Sequence, residues 1–159
     1  MDDNETPAER HRRPVGVDDA TVQAVGALTE ALETVERARG HLYTFHQLTG
    51  SADIKLQETV RLLRDAGHHE LAERLDRELV GRNVLPGRWT FQVVEEYDEL
   101  YWSVFRDHER RVRERLLQGR KHVYEAEMKE RERSHGEPGH AARPPEHVRP
   151  VSEVPPQGI

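Results

Sequence analysis

The stretch WTFQVVEEYDELYWSVFRDHERRVRERLLQ, Trp89 to Gln118, decides the fold. It holds both tryptophans, two of the four tyrosines and two of the three phenylalanines, so most of the aromatic mass available to a core lies here. Its apolar residues recur every three or four positions, at Phe91, Val94, Tyr97, Tyr101, Val104/Phe105, Val112 and Leu116, which is the period of an amphipathic helix. The long rod they predict continues to Arg133, with Gly119 as its one weak point.

Working outward, Asp18 or Asp19 can cap a first helix through its carboxylate. That helix carries the stripe Ala24, Val25, Leu28, Ala31, Leu32, Val35, Ala38, Leu42, Phe45 and is expected to end at Thr49, before Gly50. A second helix, Ala52 to Ala66, follows, then a short third from His69 to Val80, and the loop GRNVLPGR from Gly81 to Arg88. The expectation is an all-α fold: an up-down-up bundle over residues 18–133, with the long helix 89–133 broken or unbroken at Gly119. Residues 1–17 read as a disordered tail, and so do residues 134–159, where six of the nine prolines fall.

Composition excludes several classes. There is no cysteine, hence no disulfide, thiolate metal site or cysteine nucleophile. No apolar run reaches the roughly 20 residues of a membrane span, and the acidic, polar N-terminus is unlike a signal peptide, so a cytoplasmic protein is expected. A net charge of −6 argues against duplex nucleic acid as the main partner. The basic cluster Arg10 to Arg13 reads as a solvated tail that is also able to touch an anionic partner. Arg106, Arg110 and Arg113, flanked by Asp107, Glu109 and Glu114, read as an ion-paired wet face. No serine has a nucleophile-elbow context, and of the ten histidines none forms a facing Glu-x-x-His pair.

Two constellations remain. Helical-wheel positions place Arg39 and His46 on the first helix, and Asp98 and His108 on the long one, inside the apolar stripes. A buried charge must be paired, shed or hydrated, so these four form a polar core layer that fixes register, or alternatively a small-molecule site. The other is a spacing: Glu70-x-x-Glu73, then 21 residues, then Glu95-x-x-Asp98. It resembles the paired acidic signature of all-α nucleoside triphosphate pyrophosphatases of the MazG type. The resemblance covers about 30 residues and implies magnesium held by Glu70, Glu73, Glu95 and Asp98, with water activated against a nucleotide.

Past Gly119, Leu117, Tyr124 and Met128 fall on a second apolar side, which needs a cover that a three-helix bundle does not supply. This segment either folds back or meets a second chain, and a homodimer through Leu117, Tyr124 and Met128 is the expectation. The reading favoured from sequence is a structural or protein-interaction module without catalysis and without a cofactor. The alternative is a helical protein that binds a small molecule or a divalent metal.

Overall fold

The computed structural model describes residues 5–145. Within them the chain is helical: α1 Asp19–Asp65, α2 His69–Glu78, α3 Thr90–Tyr97, α4 Ser103–Leu117 and α5 Val123–Glu132, with a π-helical turn, Asp98–Trp102, joining α3 to α4. The described residues contain no strand beyond an isolated bridge between Leu85 and Arg88 in the loop before α3. No helix among them is long and apolar enough to cross a membrane. Two compact units can be distinguished, residues 30–108 and, among the described residues, 5–29 with 109–145. Both α1 and α4 contribute to each.

The largest departure from the expected helix lengths is α1. It runs unbroken through Gly50 for 47 residues. A mid-helix glycine costs about 1 kcal/mol relative to alanine, which tertiary packing can offset. Here the packed row continues across it without a phase change: Leu32, Val35, Arg39, Leu42, His46, Thr49, Asp53, Leu56, Val60 and Leu63 are all buried or half-buried, at alternating steps of three and four. The real stop is Gly67, in the left-handed conformation at φ +83°. There the amides of Gly67 and His68 donate back to the carbonyls of Arg64 and Leu63, closing the helix end. At the other end Asp18 is the cap, its carboxylate accepting the Thr21 amide at 2.8 Å.

In the unit of residues 30–108, contacts along α1 run backwards through the later chain. Arg39 meets Asp98, His46 meets Thr90, Asp53 accepts the Gly81 amide, and Arg64 pairs with Glu73 and Asp76. Rising numbers on α1 meet falling numbers opposite, so α3 and the turn after it lie antiparallel to α1. The parallel first and last rods of an up-down-up arrangement would need the break at Gly50 that the chain does not make.

The other unit packs Val22 and Val25 of α1 with Leu117 of α4 and Val123 of α5, each no more than 3% exposed. The chain reverses after Leu117 through Gln118 and Gly119, both with positive φ. The predicted weak point at Gly119 therefore coincides with a turn, and α5 begins at Val123. Sequence pattern leaves residues 1–17 and 134–159 without structure. Among the described residues of these segments, however, Glu9–His11 form a 3-10 turn, and Arg13 makes a two-pronged bond to Glu127 at 2.7 Å. Arg133, with only 3% of its side chain exposed, grips Glu130, Glu5 and the His140 carbonyl. The remaining parts of both tails, residues 1–4 and 146–159 with His147 and Ser152, lie outside the described residues.

Candidate functional site

The polar layer expected from sequence resolves into one charged cluster and one neutral pair. Arg39 Nε and Nη2 donate to the two carboxylate oxygens of Asp98 at 2.7 and 2.9 Å, the planar fork matching the planar acceptor. Tyr43, one turn along α1, stands 3.3 Å from the same guanidinium, and its hydroxyl donates to Asp98 at 3.5 Å. The guanidinium also lies 3.9 Å from the centre of the Trp102 ring, with Arg106 4.5 Å from that ring. Both members of the pair keep about a quarter of their side chains in water. Separately, His46 Nδ1 lies 2.7 Å from the hydroxyl of Thr90, which is buried at the start of α3.

His108 does not join them; it is exposed. The reason is the π-helical turn. Asp98–Trp102 inserts about one extra residue into the helix, and one residue is about 100° of helical phase. Core positions downstream of it therefore move along by one, although Val112 still packs against the core. Trp102 takes the place expected for Tyr101, Glu109 that for His108, and Leu117 that for Leu116. The burial figures follow this shift: Glu109 is 5% and Leu117 3% exposed, whereas Leu116 is 40% exposed.

The same shift corrects the arginine face. Only 12% of the Arg113 side chain and 7% of that of Glu109 are exposed, and the two pair at 2.9 Å. Thr29 donates to Glu109 at 3.1 Å, and Arg113 donates to the Gly119 carbonyl at 2.7 Å, so this pair ties α1, α4 and the turn after it together. A wheel drawn at constant phase leaves both residues in water. Arg110, by contrast, does sit on the wet face, paired with Glu114.

The acidic quartet is not brought together. Asp98 is engaged by Arg39, Glu73 by Arg64 across the α1–α2 turn, and Glu70 and Glu95 are exposed. Among the described residues no three histidine or carboxylate side chains are grouped closely enough to hold a metal ion. Of the expected partner surface, Leu117 is a core residue of its own unit, while Tyr124 and Met128 are 44% and 36% exposed. Val123 is the α5 residue that enters the core, at 2%. No family model matches the chain, and no curated protein or solved structure matches it either.

What the Arg39–Asp98 pair does chemically is hold charge. The Arg39 hydrogen bonds keep the Asp98 carboxyl below its ordinary range against the opposing effect of partial burial, and the carboxylate keeps Arg39 charged. An Asp whose folded value is depressed stabilises the fold above its unfolded value near 4, and that stability is lost as pH falls through the lower folded value. Asp98→Ala, which strands the guanidinium, is expected to cost about 1–3 kcal/mol at pH 7. The deficit should be constant above pH ~5 and shrink below pH ~4, where the wild-type carboxylate is itself titrating. Urea melts from pH 2.5 to 7 read this directly. A deficit that stays constant across the whole range would mean that the pair contributes through packing alone.

Proposed function

We propose that the chain is a non-catalytic helical interaction module that pairs with a second copy of itself through the outer face of α1. One observation carries this reading. About 100° round the helix from its packed row, α1 has a second row at the same three-and-four spacing: Ala31, Thr34, Ala38, His41, Phe45, Leu48, Ala52, Lys55, Thr59 and Leu62. Every one of these residues is exposed. Phe45 is 45%, Leu48 65% and Leu62 53% exposed, and Ile54 beside them is 68%. Surfaces of this kind are interaction sites more often than ordinary solvent faces, and a sustained seven-residue repeat is the pattern by which two helices interlock.

The occupant follows from size and area. The row has its largest apolar residues, Phe45 and Leu48, at its centre, small ones, Ala31, Thr34 and Ala38, toward its N-terminal end, and Leu62 at its C-terminal end. Two copies laid antiparallel about the midpoint of the row set Phe45 of one against Leu48 of the other at the centre and Leu62 against Ala31 at the ends, and a two-fold axis repeats the match on both sides. The row is about 47 Å long and about 10 Å wide, on the order of 500 Å² per chain. Doubled, that reaches the roughly 1,000 Å² at which specific interfaces begin.

The chain has no cysteine, so single cysteines can carry spin labels without background. Labels at Ala31 should lie far apart in the pair, about 45 Å, and labels at Leu48 close together, under about 20 Å, by the helical rise alone. Short separations at both sites would make the pairing parallel. No dipolar coupling at either site would remove the self-association.

A further inference from the structure

The cluster Arg10 to Arg13 does not hang free. Three contacts fold it onto α5 and the turn before it: Arg13 on Glu127 of α5, Arg120 on the Arg12 carbonyl at 2.9 Å, and His11 Nδ1 on the Lys121 carbonyl at 2.7 Å. The last fixes the tautomer. A carbonyl only accepts, so Nδ1 carries the proton, and Nε2 is left to accept from Arg10 Nε at 3.1 Å. His11 thereby holds the Arg10 guanidinium on the same side as Lys121. The His122 ring lies 5.8 Å away, tilted across that of His11.

These residues line an open cleft of about 460 Å³, walled by Arg10, His11, Gly119, Lys121 and His122. The neighbouring arginines are occupied: Arg13 by Glu127 and Asp19, Arg113 by Glu109, Arg133 by Glu5 and Glu130. The nearby carboxylates are also engaged, Glu9 with Arg120 at 3.9 Å and Glu125 with His122 at 3.6 Å. Among the described residues no carboxylate pairs with the Arg10 fork or the Lys121 ammonium. Arg10 and Lys121 thus bring two cations to one cleft whose lining holds no carboxylate, in a chain whose net charge is −6.

We propose that this cleft binds a compact, multiply charged oxyanion, the phosphate group of a small phosphorylated molecule. The guanidinium offers a planar fork to two oxygens and the ammonium a point charge to a third. His122 adds a ring nitrogen at the rim. A long polyanion fits less well, because the acidic chain repels it beyond the cleft.

The test is calorimetric titration of the full chain with inorganic phosphate and with pyrophosphate at 150 mM salt, where loose charge pairing is screened. One saturable site with Kd below about 1 mM is expected, tighter for pyrophosphate than for phosphate. In R10Q/K121Q the affinity should fall at least tenfold. In R61Q/R74Q, which removes the same charge from exposed ion pairs of α1 and α2, it should be unchanged. Absence of saturation, or equal losses in the two double variants, would overturn the site and leave only the general charge of the chain. Circular dichroism of both variants confirms that they remain folded.

Discussion

Val123→Asp is expected to unfold the unit that holds α5, with a loss of at least about 3 kcal/mol, because it places an unpaired carboxylate where no water reaches. Val123 is 2% exposed and is the largest fully buried side chain among the described residues. Its neighbours Val22, Val25 and Leu117 offer no hydrogen-bond donor from their side chains, and α5 is too short at ten residues to persist without them. Val123→Ala keeps the site apolar and should cost less, about 1–3 kcal/mol. Hydrogen exchange is the proper probe, since Trp89 and Trp102 both lie in residues 30–108 and report on the other unit. Protection should fall across Asp19–Thr29, Glu109–Leu117 and α5. If Val123→Asp leaves those amides protected, α5 does not cover the Val22, Val25 and Leu117 cluster.

The second large effect is on association. Phe45→Glu with Leu48→Glu puts two carboxylates at the middle of the proposed interface, each facing its symmetry mate's apolar side chains. Truncating one central anchor of an interface typically costs 2 kcal/mol or more, and a desolvated charge adds to this. The dissociation constant should therefore rise by at least about a hundredfold. Both side chains are exposed in the single chain, so the monomer itself should keep its helix content. A double variant that loses helicity along with association would assign Phe45 and Leu48 to the chain's own core.

How far these features can be read from residues alone depends on one local irregularity. The helical class, the α1 cap at Asp18, the α2 span and the turn at Gly119 follow from propensity, capping chemistry and glycine, which act within a few residues. The inner row of α1 was legible only in part: Val25, Leu32, Val35 and Leu42 lie inward as expected, whereas Ala24, Ala31, Ala38 and Phe45, read into the same stripe, are exposed, and the regularity of the observed row across Gly50 outweighs the glycine that suggested a stop. The π-helical turn was not legible. Nothing in DELYW distinguishes five residues per bonded turn from four, and its effect accumulates downstream: a constant-phase wheel puts His108 inside and Glu109 outside, one residue from where they lie. Of the four polar-layer residues, Arg39, His46 and Asp98, which precede or open the irregular turn, are the three found with inward partners.

Tertiary pairing was equally hidden. The match of Arg39 to Asp98, rather than to a residue two turns away, depends on α3 running antiparallel to α1. That in turn depends on α1 not ending at Thr49. The contacts of Arg10 to Arg13 need a partner 110 residues distant, and local composition, charged and interrupted by proline, carries no trace of it.

Sedimentation equilibrium of the unmodified full chain at micromolar concentration tests the self-pairing module most directly. The expected result is the mass of two 18.4 kDa chains, reverting to one as the protein is diluted. A single 18.4 kDa species that persists to the highest soluble concentration would contradict it.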